Sequence, residues 1–123
     1  MRDDTVFIVD DDASVRDSLS LLLSLQGYRT ATFASAEDFL AAFKPDWQGC
    51  LIVDIRMPGM SGLELQKCLQ DSGAHLPVVV ITAHGDVAAA RQAFRARAVD
   101  FIEKPFDAGQ LLAAVETAHE GLR

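Results

Sequence analysis

Short apolar runs alternate strictly with segments of helical period along this chain, and that alternation leaves few folds open. Residues 5–9 (TVFIV), 28–33 (YRTATF), 50–53 (CLIV), 78–82 (VVVIT) and 99–102 (VDFI) are brief and largely β-branched or aromatic, the composition of strands. The first, third and fourth are nearly continuous hydrophobic runs, as strands covered on both faces should be. Between them, Val15, Leu19, Leu22 and Leu23 recur at the spacing of one helical face, with Gly27 as a stop. Leu65, Cys68 and Leu69 repeat the pattern before Gly73, and Leu111, Leu112, Val115 and Ala118 mark a final helix. Ser35 with Asp38 resembles a capping box with a shortened acid, so a helix is expected to begin near Ala36. Gly85 or Asp86 is the expected start of another, running through Phe94.

Alternating β and α elements imply parallel strands joined by right-handed helical crossovers, with helices on both faces of the sheet. The expected fold class is α/β: a doubly wound, flavodoxin-like, five-stranded parallel sheet of order 2-1-3-4-5. A closed eightfold barrel would need far more than 123 residues. One domain over residues 1–123 is expected, large enough to need no disulfide or metal staple, with Cys50 and Cys68 as free thiols. No apolar run approaches a membrane span and the first residues do not resemble an export signal, so a cytoplasmic protein without membrane association is expected. Eighteen acidic against eleven basic residues give a net charge of −7. With no basic stripe, direct nucleic-acid binding by this chain is not expected.

In open α/β sheets, ligands sit beyond the carboxyl ends of the strands where strand order reverses, here between the first and third strands. The residues arriving there are Asp10, Asp11 and Asp12 after the first strand, Asp54 after the third, Thr82 ending the fourth and Lys104 after the fifth. Strand two delivers no comparable group. Each residue also has a plain structural reading. Asp12 or Ser14 suits a helix cap, Asp54 a turn ahead of Pro58-Gly59, Thr82 a strand end and Lys104 the surface. Their joint arrival at one rim is what points to chemistry. Asp10, Asp11 and Asp54 would repel one another unless a cation intervened. Carboxylate oxygens without His or Cys favour Mg²⁺, with Mn²⁺ possible, over zinc. Lys104 and the Thr82 hydroxyl would face the far side of a bound phosphoryl group, and phosphoryl transfer needs mainly such positioning and charge. Asp54 is the natural nucleophile, because a carboxylate can carry a covalent phosphoryl group.

The stretches IVDDD at 8–12, VDIRMPGMSG at 53–62, VITA at 80–83 and VDFIEKPF at 99–106 resemble the motifs of response regulator receiver domains, with spacing intact over essentially the whole chain. ITAHGDV at 81–87 and the DFIEKPF run resemble the FixJ-like branch more than the chemotaxis branch. The resemblance implies that Asp54 accepts a phosphoryl group from a sensor histidine kinase. It makes Asp11, Asp54 and the backbone carbonyl of Arg56 direct Mg²⁺ ligands, with Asp10 acting through water. Lys104 would hold the phosphoryl group, followed by a cis Lys104–Pro105 bond. Thr82 and Phe101 would form the switch pair, a role compatible with Phe101 being a core aromatic. Arg56 and His84 would tune phosphoryl lifetime, while His75 and His119 are expected at the surface. Arg97 stands where relatives usually have Gly, a mildly strained replacement at the end of helix four.

Phosphorylation is then expected to change the helix 4/strand 5 surface and produce a homodimer. Arg91 and Arg95 of one subunit would face Asp100 and Glu103 of the other across a two-fold axis. A helix-turn-helix output domain controlling transcription is expected to have been removed beyond Arg123. Beyond accepting and losing its own phosphoryl group, the chain is not expected to be an enzyme. Three rivals fit less well. Asp10-x-Asp12 before Ser14-Val15 loosely resembles the haloacid-dehalogenase phosphatase loop, with Asp10 as nucleophile, but an acidic pair after a later strand is missing. A flavodoxin-like electron carrier would need a Ser/Thr/Gly-rich loop where three aspartates stand. A pseudo-receiver, folded but never phosphorylated, would not need the complete set of site residues.

Overall fold

Residues 5–74, 76–83 and 87–120 are described by a computed structural model, and they follow the expected alternation throughout. The elements are β1 (Thr5–Val9), α1 (Ala13–Leu25), β2 (Arg29–Phe33), α2 (Ala36–Ala42), β3 (Gly49–Asp54), α3 (Gly62–Asp71), β4 (Val78–Thr82), α4 (Val87–Arg95), β5 (Asp100–Glu103) and α5 (Ala108–Glu120). All strand pairs are parallel, in the order β2-β1-β3-β4-β5, the flavodoxin-like order read from the sequence. The expected starts of α4, Gly85 and Asp86, lie outside the described residues. No helix among the described residues is long and apolar enough to cross a membrane.

The uninterrupted apolar runs are explained by two cores. Successive strand residues point to opposite faces, so Phe7, Val9, Leu51, Val53, Val78 and Val80 pack beneath α2, α3 and α4. Their neighbours Val6, Ile8, Cys50, Ile52, Val79 and Ile81 pack against α1 and α5. On the first face Phe7, Phe33, Phe39, Phe43 and Trp47 form an aromatic cluster, with the Phe7 and Trp47 rings stacked at 4.7 Å.

Helix starts follow local chemistry. Asp12 caps α1 and Ser35 caps α2, each accepting a backbone N–H of the first turn. The full reciprocal capping box is found at Ser61 and Glu64, at the start of α3. Within the α3 stripe Leu65 and Leu69 are buried, whereas Cys68 is exposed.

The surface expectation for His119 is overturned. It is 5% exposed, its Nδ1 donates to the Val115 carbonyl at 3.0 Å, and its ring lies 5.1 Å from Tyr28. The reason is helical period: His119 sits four residues after Val115, on the α5 face that covers the sheet. His75 lies outside the described residues.

The first register pair between β1 and β3, Thr5 with Gly49, depends on the glycine. Its φ is 139°, and a Cβ there would lie 1.7 Å from the Thr5 carbonyl oxygen. Gly27 also has positive φ, 88°, but nothing lies within 4 Å of its missing Cβ. Gly49→Ala should therefore lose more than about 3 kcal/mol of stability, the range of severe backbone and packing clashes. Gly27→Ala should lose only about 1 kcal/mol, the backbone term alone. Denaturant unfolding of the two variants measures the difference, and equal losses would contradict the close approach at Gly49.

Candidate functional site

Strand register decides which side chains meet at the carboxyl rim. Val9 pairs with Val53, so Asp10 and Asp54 leave the sheet side by side from adjacent strands. Asp54 pairs with Ile81, and Thr82 pairs with Glu103, which places Thr82 and Lys104 one step further along the same rim. The Lys104 N–H donates to the Thr82 carbonyl at 2.7 Å, extending the ladder up to the lysine.

Asp10 is fully buried, and every oxygen it has is engaged. Oδ2 accepts from Lys104 Nζ at 2.8 Å, Oδ1 accepts from the Asp12 N–H at 2.9 Å, and its carbonyl accepts from Arg16 Nη1 at 2.7 Å. Asp54 is 5% exposed; Oδ2 accepts from Lys104 Nζ at 3.2 Å and Oδ1 from the Arg56 N–H at 3.3 Å. Asp11 is exposed. Asp10, Asp11 and Asp54 each present a carboxylate oxygen within 4.8 Å of the others. Asp12 stands apart: it receives the Ser14 N–H at 2.9 Å and the Ser14 hydroxyl at 2.7 Å, so the capping reading holds for this residue. Those bonds, the Ser14 hydroxyl first, hold the Asp12 carboxyl below its ordinary range.

Burial, followed by the adjacent Asp10 charge, pushes the Asp54 carboxyl up, while Lys104 pulls in the opposite direction. Burial would lower the Lys104 ammonium, but its bond to Asp10 and the two carboxylate charges outweigh that and raise it. The site is thus two buried carboxylates sharing one ammonium, with a third carboxylate open to solvent. A set of hard oxygen donors without His or Cys fits a small divalent cation such as Mg²⁺.

The other expected residues are placed as follows. Thr82 is fully buried at the end of β4, continuing the Val78–Val80 alternation toward α3 and α4. Phe101 pairs with Val80, lies on that same face and is half-buried against its core. Arg56 is exposed beside Asp54, and the Lys104–Pro105 bond is cis. Arg97 takes the left-handed conformation at φ 67°. Arg91, Arg95 and Glu103 are exposed, and Asp100 is half-buried, its carboxylate accepting the Phe101 N–H at 2.8 Å. His84 lies outside the described residues. Two supports escaped the sequence reading. Arg16 reaches back from α1 to the Asp10 carbonyl, and Glu37 Oε2 on α2 accepts the Met60 N–H at 3.1 Å, steadying the loop after Asp54. Both link segments with no shared pattern. An apolar groove of 490 Å³ lined by Phe43, Trp47 and Leu76 lies at the opposite end of β3, by Gly49, and holds none of these residues.

A model described as the response regulator receiver domain matches residues 6–116. The transcriptional regulatory protein FixJ of Rhizobium meliloti is 50% identical over 99% of this chain and 60% of its own length. FixJ of Azorhizobium caulinodans is 48% identical over 92% of this chain and 54% of its own length. The crystal structure of FixJ-N superposes with a TM-score of 0.89 at 50% identity, covering 98% of this chain and 96% of that one. Full-length FixJ from B. japonicum superposes with a TM-score of 0.88 at 39% identity, covering 98% of this chain and 59% of that one. The chain therefore spans between 54% and 60% of the length of these two curated relatives.

The raised Asp54 pKa has a consequence for stability. A carboxyl lifted by folding stabilises the fold below its unfolded pKa, and that contribution disappears as pH rises through the folded value. Ionised Asp54 is then a net burden at neutral pH. Lys104 is raised as well, so its contribution persists until pH climbs past the lysine range. Without added metal, Asp54→Asn should melt a few degrees higher than the unsubstituted chain at pH 7. The gain should shrink in acid, where the carboxyl is protonated. Calorimetry across that range is the check, and a lower melting temperature at pH 7 would contradict it.

Proposed function

Because this chain belongs to the response regulator receiver domains, in their FixJ-like branch, we propose that Asp54 is its phosphoacceptor, charged by a sensor histidine kinase in the cytoplasm. The observation that carries this is Lys104 Nζ reaching both Asp54 and Asp10 at the rim where three carboxylates converge. An Asp54 oxygen attacks the phosphorus, the new O–P bond forms as the P–N bond to the kinase histidine breaks, and the imidazole leaves. Lys104, fixed by Asp10, keeps its ammonium beside the oxygens that gain charge. Buried Thr82 sits one residue past the register partner of Asp54 and offers its hydroxyl. Asp11 and Asp54, with the Arg56 carbonyl, would hold Mg²⁺, and Asp10 would act through water; Mn²⁺ suits the same donors. The bound cation supplies positive charge against the phosphoryl oxygens. Arg56 and His84, two residues past Asp54 and Thr82 in the sequence, would set how long the phosphoryl group lasts. An Asp10 nucleophile of the phosphatase kind is less well supported, since the Asp10 side chain is fully enclosed and held at 2.8 and 2.9 Å, whereas Asp54 keeps an exposed edge and longer bonds of 3.2 and 3.3 Å.

An acyl-phosphate donor with Mg²⁺ should add one phosphoryl group, stable in acid and labile to hydroxylamine. EDTA and Asp54→Asn should each abolish it, as intact-mass measurement will report. Labelling that survives Asp54→Asn and is lost in Asp10→Asn would sink the assignment.

The output follows from where the switch pair lies. Phosphorylation places roughly two negative charges at Asp54. Thr82 moves toward them, and Phe101 turns inward from the α4–β5 face into the space vacated. Val87 and Phe94 are exposed apolar residues on α4, with Arg91 and Arg95 on the same helix and Asp100 and Glu103 on β5. A two-fold pairing sets the arginines against the acids around those apolar side chains. Such a dimer would position an output domain, and the transcriptional regulators this chain resembles support transcription as the output. Sedimentation should show a monomer shifting toward dimer with beryllofluoride, a phosphoryl mimic, and the dimer should weaken with salt. Arg95→Glu should suppress it. A mimic-bound monomer at high protein concentration, or a dimer indifferent to Arg95→Glu, would overturn this route.

A further inference from the structure

Gln66 is a buried polar residue that the phosphoryl chemistry does not use. It stands on α3 at 2% exposure, and its Nε2 donates to two carbonyls of the α4 terminus, Ala93 at 3.0 Å and Ala96 at 3.1 Å. That terminus is closed by paired bonds of 3.0 Å, from the Ala98 N–H to the Ala93 carbonyl and from the Arg97 N–H to the Phe94 carbonyl. Such a stop needs a left-handed residue, normally Gly, between helix and strand. Here it is Arg97 at φ 67°, which strains the stop. The Gln66 amide therefore reinforces a helix end that its own sequence weakens. The reinforcement is itself partial, because Gln66 Oε1 has no hydrogen-bond partner among the described residues, and a buried acceptor left so offsets part of what the donor gains. A tie built this way is close to balance.

The other end of α3 is anchored at the phosphoacceptor. The Gly62 N–H donates to the Ile55 carbonyl at 2.9 Å, and a Cβ on Gly62 would lie 2.2 Å from the Asp54 carbonyl oxygen. So α3 runs as a strut from the Asp54 backbone to the end of the helix that borders the output face.

We infer that Gln66 is a positioning residue that ties the carboxyl end of α4 to α3 while Asp54 is unmodified, and lets go when the α4–β5 face rearranges. The inference rests on the phosphoacceptor reading of Asp54. Its two bonds must then be surrendered on activation, and they oppose any ligand that favours the activated arrangement.

The test is the affinity for beryllofluoride in the presence of Mg²⁺, measured by titration calorimetry. Gln66→Met keeps the side-chain length and removes both donors. It should bind the mimic about fivefold or more tightly than the unsubstituted chain, since the tie no longer competes with binding. Gln66→Asn, whose shorter amide cannot span both carbonyls, should tighten binding less, and it provides a second measurement should the Met variant fold poorly. Amide exchange at Arg97 and Ala98 should speed up in both. Gln70→Met, one turn further along α3 where the side chain is exposed, should leave the affinity unchanged. Unchanged affinity in both Gln66 variants, even with a lowered melting temperature, would reduce Gln66 to packing and overturn the inference. An unsubstituted chain that binds no beryllofluoride would remove the phosphoacceptor reading, and the tie with it.

Discussion

Lys104 is the charge on which the carboxylate rim depends. Asp10, Asp11 and Asp54 approach within 4.8 Å of one another, and two of them are buried. At an effective dielectric of ~20, each like-charge pair at that spacing costs roughly 3 kcal/mol. One ammonium at 2.8 Å and 3.2 Å from the two buried carboxylates answers that repulsion without removing it. Asp54 stays pushed toward its neutral form even with Lys104 beside it. The lysine arrives from the far end of the sequence, 94 residues after Asp10. It reaches the rim because β5 lies against β4 and β4 against β3. Strand order and site are in this sense one problem: an order that broke the β1-β3-β4-β5 run would leave Asp10 and Asp54 unanswered.

The strand order, the rim and its principal residues were legible in the residues because they follow from periodicity and from what stands at strand ends. Continuous apolar runs identified β1, β3 and β4 as doubly covered, and the first polar residue after each run marked the rim. What periodicity cannot express is how a polar side chain on a covered face is satisfied. His119 follows Val115 by one turn and is buried with it, although no partner for it is visible in the sequence. Gln66 shares the α3 stripe with Leu65 and Leu69, and only the position of α4 reveals why an amide is tolerated there. Arg16 and Glu37 act on backbone groups of other segments, contacts fixed by docking angle with no counterpart in spacing. The Ser61–Glu64 capping box is legible in spacing alone, as Ser followed three residues later by Glu at the head of an apolar stripe.

The two cores divide the labour of the fold. The face carrying α1 and α5 is mainly aliphatic, with Tyr28 and His119 buried in it, and holds neither Thr82 nor Phe101. The opposite face carries the aromatic cluster under α2 at one end and Thr82, Phe101 and the Gln66 tie at the other. On that second face the interlocked rings of Phe7, Phe39 and Trp47 hold α2 to the sheet, apart from the end where Thr82 and Phe101 lie.

Asp10, Asp11 and Asp12 are chemically identical and contiguous, yet no two of them meet the same surroundings. Asp12 only needs to accept an N–H at the mouth of α1, so Asn or Ser is an equivalent residue there. Asp10 must place two acceptor oxygens at one particular length, one for Lys104 and one for the Asp12 N–H, inside the fold. Asp11, open to solvent, answers only to whatever occupies the rim. A one-residue slip in this run would preserve the composition and misassign all three tasks. The triplet is therefore better regarded as three separate sites that happen to share a codon family than as one acidic patch with spare members.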